Sequence, residues 1–127
     1  MNHPVKPGGK SGIARVIAAT RYSFAGLKAA IRHEEAFRQE LALGGGLTFA
    51  AIILARSPME FVILMTPVVL MLVVELLNSA IEAIVDMVSP DHHILAGRAK
   101  DMGSAAVFLT VLFTSVVWIL FFIDLVR

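Results

Sequence analysis

Glu75, Asn78, Glu82 and Asp86 recur at helical spacing inside a stretch that is otherwise apolar. At about 100° per residue they stand at roughly 0°, −60°, −20° and +20°, a single polar stripe along one helix face. Two further groups flank other apolar stretches. Glu34, Glu35, Arg38 and Glu40 precede one, and Lys100, Asp101 and Ser104 open another. Carboxylates mixed with one or two cations fit two chemistries. They can hold a divalent cation through oxygen, with a nucleotide's phosphates completing the shell of a Mg²⁺ ion. They can also supply a general base, a carboxylate held partly away from water beside the proton it takes. The competing reading is a salt-bridge network that joins helices and does nothing more. Small residues alone can pack membrane helices, so four polar groups on one stripe exceed what gluing needs. The balance favours a site.

The elements that would position these groups follow from composition. The chain has 127 residues, 57% of them hydrophobic and only 17% charged. A soluble domain has about 45–50% apolar residues and a quarter charged. One domain fits the length, and disorder is excluded by the apolar excess. The net charge of +1 gives no basic face for nucleic acid, and the lack of cysteine excludes disulfides and thiolate chemistry. Three apolar stretches stand out: Leu41–Ala55, Phe61–Val74 running on to about Val88, and Ala105–Ile123. A spanning helix needs about 20 mostly apolar residues. The third stretch reaches that alone, and the others reach it with their polar flanks. A chain this short could not wrap three such helices as a soluble core. The expected fold is therefore an all-α membrane protein in one domain, with spans over about 35–56, 59–88 and 94–123.

Ahead of the spans, residues 1–12 read as a flexible Pro/Gly/Lys-rich tail and not as a signal peptide. Residues 13–33 read as an amphipathic helix. Ile13, Ile17, Phe24, Leu27 and Ile31 fall within about 80°, with Arg21, Lys28 and Arg32 along one edge and Arg15 opposite. Such a helix lies in the membrane interface. Basic residues crowd the N-terminal region, the loop around Arg56 and Glu60 is nearly neutral, and the second connection carries Arg98 and Lys100. The positive-inside rule then places the N-terminus and second loop in the cytoplasm. All three polar clusters fall toward that side, where they can meet under the lipid headgroups.

Other apparent motifs carry less. Gly9-Lys10-Ser11 lacks the leading glycine and the strand of a phosphate-binding P-loop. Gly44-Gly45-Gly46 suits close helix packing. His92 and His93 are adjacent and would point apart, which argues against zinc. Trp118, near the outer end of the third span, reads as an interfacial anchor.

Glu34-Glu35-Ala36-Phe37-Arg38-Gln39-Glu40, then Val74–Asp86 (VELLNSAIEAIVD), then Gly97–Val107 (GRAKDMGSAAV), together resemble the prokaryotic diacylglycerol kinases. The resemblance reaches back to Arg15 and Tyr22-Ser23-Phe24 and covers nearly everything after Gly12. It implies a homotrimer with three transmembrane helices and an N-terminal surface helix per subunit. It further implies ATP-dependent phosphorylation of diacylglycerol to phosphatidic acid at the cytoplasmic face of the inner membrane. By the same resemblance Glu75 is the catalytic base, Asn78 orients the reacting groups, and Glu34 and Glu82 hold the Mg²⁺ that bridges the nucleotide phosphates. Lys100 contacts phosphate, and Asp101 the sugar or base. Arg15 and Tyr22 close over the nucleotide, and His93 approaches it from the loop. Ser104 and the stretch Phe37, Arg38, Gln39 and Glu40 line the path of the lipid. The chain departs from the family pattern at Pro90-Asp91-His92-His93, Ala25 and Ala96, none of which belongs to the carboxylate set.

Phosphoryl transfer needs positioning, charge neutralisation and a base near the nucleophile, so the residues and the resemblance agree on chemistry. The alternatives are an undecaprenol kinase with the same site, a channel or transporter subunit using the stripe as an ion path, and a plain scaffold. An ion path leaves Lys100, Asp101 and the amphipathic helix without a role.

Overall fold

The computed structural model describes residues 12–127. The expected tail lies outside them but for Gly12, as does the Gly9-Lys10-Ser11 motif. The described residues form four helices and no strand: α1 (Ile13–His33), α2 (Glu35–Leu54), α3 (Pro58–Val88) and α4 (Ile94–Leu125). The last three are long and apolar enough to cross a membrane. At 1.5 Å per residue the 20 residues of α2 span about 30 Å, the thickness of a bilayer's hydrocarbon layer.

Local sequence sets each helix end. Gly12 precedes α1 with φ 67°, a conformation open to a residue without a Cβ. Ser57 caps α3 by accepting from the Glu60 N–H at 3.1 Å, and Pro58 occupies the first turn, where its missing N–H costs nothing. His93 caps α4, its Nδ1 accepting from the Leu95 N–H at 3.1 Å. Pro67 lies inside α3, fully buried, and the helix runs through it. Between α1 and α2 stands one non-helical residue, Glu34, with φ −105° and ψ 110°.

Short connections turn α2, α3 and α4 back on one another. α3 is the middle element, packed along α4 and against α2, while α1 touches the start of α2. Gly44 on α2 is buried, and a Cβ there would stand 3.2 Å from Val68 Cγ1, so the glycine sets the approach of α2 to α3. The core gathers Ala51, Leu64, Trp118 and Phe121. Trp118 is thus no interfacial anchor. It is 4% exposed, edge-on to Phe121 at 6.0 Å between ring centroids, because its face of α4 looks at α2 and α3 and not at lipid. Near the same end, the Arg56 guanidinium donates to Glu60 at 2.7 Å and also to Asp124 on α4. These bonds, that to Glu60 first, push the arginine's pKa further above its ordinary value. Outside the core the bundle stays apolar, with Phe49, Phe108 and Ile119 more than half exposed. The apolar stripe of α1 is also uncovered, Ile13 79% and Phe24 69% exposed.

Candidate functional site

The bundle's other end collects the carboxylates. α2 starts there at the Glu34 joint, α3 finishes there and α4 begins there. Glu75, on α3, is buried at 4% exposure. Glu82 lies two turns further along the same helix. Glu82 and Glu34 are half-buried, and both are close enough to Glu75 to act on its charge. Glu40, likewise half-buried, reaches Glu75 from α2. Among the described residues none of these four carboxylates is in an ion pair. Partly desolvated like charges in one place are costly unless a cation joins them.

Asn78, one turn beyond Glu75, is 8% exposed. Its Nδ2 donates to Glu82 Oε1 at 3.4 Å, and its Oδ1 lies against Gly103 of α4, without a hydrogen-bond partner among the described residues. Further out, Lys100 Nζ meets Asp86 Oδ1 at 2.8 Å, an exposed pair that joins α4 to α3. Lys100 also lies near enough to Glu82 to feel its charge. Between α1 and α3 runs a groove of about 600 Å³. Leu27, Ala30, Leu76 and Ala80 make its walls largely apolar, and Ser23, His33, Glu34 and Ser79 are its polar members.

The other expected site residues are spread around this centre. Phe37 is inside the bundle at 2% exposure. Arg38 Nη1 donates to the Ile31 carbonyl at 3.1 Å, tying the start of α2 to the last turn of α1. Gln39 Nε2 donates to Glu35 Oε1 at 3.3 Å along its own helix. Arg15 and Tyr22 are exposed on α1, His93 is exposed at the cap of α4, and Asp101 and Ser104 are exposed on its first turns. Among the described residues no hydrogen bond or ion pair joins these last five to the carboxylates. Two partnerships escape the sequence read alone. Asp86 stands on the stripe there without its match to Lys100, although it continues the spacing and Lys100 lies just past the loop. Glu40 stands there on the lipid path, and only the packing of α2 against α3 brings it near Glu75.

The chain can now be set beside known proteins. It is 41% identical to a diacylglycerol kinase of Haemophilus influenzae, over 88% of this chain and 97% of that one. It is 44% identical to a diacylglycerol kinase of Escherichia coli strain K12, over 85% and 88%. A third, from Pseudomonas aeruginosa, is 47% identical over 87% and 89%. The family described as prokaryotic diacylglycerol kinase matches residues 21–122, from the middle of α1 to the last turn of α4. That span takes in the joint, the carboxylates of α3 and the Lys100 turn, and this chain belongs to the prokaryotic diacylglycerol kinase family.

Proposed function

We propose that this chain transfers the terminal phosphoryl group of ATP to the free hydroxyl of diacylglycerol, giving phosphatidic acid and ADP. The observation that carries the reading is Glu75, buried beside Glu34 and Glu82 and next to an apolar groove. As the lipid oxygen bonds to the γ-phosphorus, the bridging oxygen leaves with ADP, and the hydroxyl proton passes to the Glu75 carboxylate. Burial beside that carboxylate keeps water from taking the lipid's place. Asn78 holds its amide between Glu82 and α4, where it orients the reacting groups.

The donor set suits Mg²⁺. No three His, Asp or Glu side chains among the described residues form a metal cage. Mg²⁺ is bound through one or two carboxylates plus substrate phosphates and water, and Glu34 and Glu82 supply that number. Held by these two carboxylates, Mg²⁺ would supply charge neutralisation to the phosphates. Lys100 leaves its exposed pairing with Asp86 for a phosphate at little cost, since exposed ion pairs are weak in water. Asp101 takes the sugar or base, His93 approaches from the loop, and Arg15 and Tyr22 cover the nucleotide from α1. The apolar groove suits an acyl chain, with Phe37, Arg38, Gln39, Glu40 and Ser104 bordering the lipid's path. The working unit is a homotrimer in the inner membrane, with the site and the N-terminus cytoplasmic.

The test is ATP turnover by purified protein with Mg²⁺ in lipid or detergent, offering diacylglycerol and undecaprenol in parallel, with Glu75→Gln as control. Turnover on diacylglycerol that vanishes in the variant is expected. Turnover on undecaprenol alone would keep the chemistry and replace the substrate, and none on either would return the stripe to an ion path or a structural role.

A further inference from the structure

Asn78 is a buried polar side chain of the site whose amide lies between a carboxylate of its own helix and the backbone of α4. Its amide orientation is fixed from one side, because Nδ2 donates to a Glu82 oxygen that can only accept when ionised. Oδ1 is thereby turned to α4, and there it fills the space where a Cβ of residue 103 would stand. Any side chain at that position would collide with it. With no N–H or O–H partner for Oδ1 among the described residues, the donor that faces it is the Cα–H of Gly103. Such weak C–H···O contacts recur where helices approach closely. Gly103 is itself buried, and Lys100, three residues earlier, shares its face of α4. The antiparallel helices therefore meet in two rungs, Asn78 on Gly103 and Asp86 on Lys100.

We propose that Gly103 is a positioning residue for phosphoryl transfer, its bare Cα seating the Asn78 amide so that Nδ2 stays on Glu82 beside Glu75. This rests on the kinase reading above for its effect on rate, but the seat itself is a matter of geometry. A methyl group at position 103 displaces Oδ1, turns Nδ2 off Glu82 and leaves the binding surfaces for ATP and lipid in place.

Gly103→Ala is expected to lower kcat about tenfold to a hundredfold, the scale of a misplaced site group, with KM for ATP and for diacylglycerol nearly unchanged. Asn78→Ser makes room for the methyl group. In the Asn78→Ser background Gly103→Ala is therefore expected to change neither residual kcat nor resistance to unfolding in denaturing detergent. The unfolding comparison needs no turnover, so it separates a wrong seat from a wrong reaction. A Gly103→Ala protein with wild-type kcat would overturn the proposal. So would an equal loss of stability from Gly103→Ala in the wild-type and Asn78→Ser backgrounds, because it would mean that the glycine serves helix packing alone. If Gly103→Ala fails to fold, recovery of a folded protein by adding Asn78→Ser supports the seat, and failure of both refutes it.

Discussion

Replacing Glu75 by Gln keeps the shape of a buried side chain and removes its ability to take a proton. The expected result is a loss of turnover of about 10²–10⁴-fold, the usual contribution of a general base, with nucleotide binding retained in a calorimetric titration. Glu34→Gln and Glu82→Gln should act differently. Each removes a charge from the group around Glu75 and is expected to raise the Mg²⁺ concentration needed for half-maximal rate. An unchanged Mg²⁺ dependence would remove both residues as ligands. These carboxylates are legible in the sequence because charge inside an apolar stretch is costly and its helical period can be counted. Their immediate surroundings are not, since the company of Glu40 depends on how α2 packs against α3. Trp118 shows the same limit, for aromatic identity near a span's end suggests the interface and only packing reveals a core position. It is the sole tryptophan, so its emission reads that position directly. Lipids brominated along their chains are expected to quench it little, whereas an interfacial indole would be quenched strongly.

Helix ends and contacts explain why the site groups meet. Gly44 lets α2 approach α3 at Val68, so tightly that even a Cβ there asks Val68 to give way and a large side chain has no room. Gly44→Ala should be accommodated by a small movement of Val68, and Gly44→Leu should destabilise the bundle by about 1–3 kcal/mol, the common result of overpacking, measured by unfolding in mixed detergent. The Arg56 bonds to Glu60 and Asp124 hold the opposite end of α4. They are exposed, so Arg56→Gln should shift stability little and leave turnover unchanged. The three spanning helices can be read from length and apolarity alone. The pairing of Lys100 with Asp86 cannot, because it depends on how far the loop after α3 lets α4 slide.

For the molecule as a whole, outward-facing apolar surface dominates, and one chain buries only a small set of side chains. The surface suits lipid and further copies of the chain, a count that no periodicity records. Orientation has a direct test, since the chain contains no cysteine. Met59→Cys, at the Arg56 end, is expected to react with an impermeant maleimide on intact cells. Asp91→Cys, at the carboxylate end, should react only after the cells are opened, and the reverse pattern would invert the proposed topology. The single residue between α1 and α2 has a consequence for how such chains can diverge. Inserting or deleting one residue at Glu34 would redirect all of α1, because a single extended residue leaves no slack to absorb the change, and its apolar stripe would face another way. The longer connections at 55–57 and 89–93 can absorb such a change. Changes of length between related chains should therefore collect in those loops, and the joint should keep its count even where its residues change.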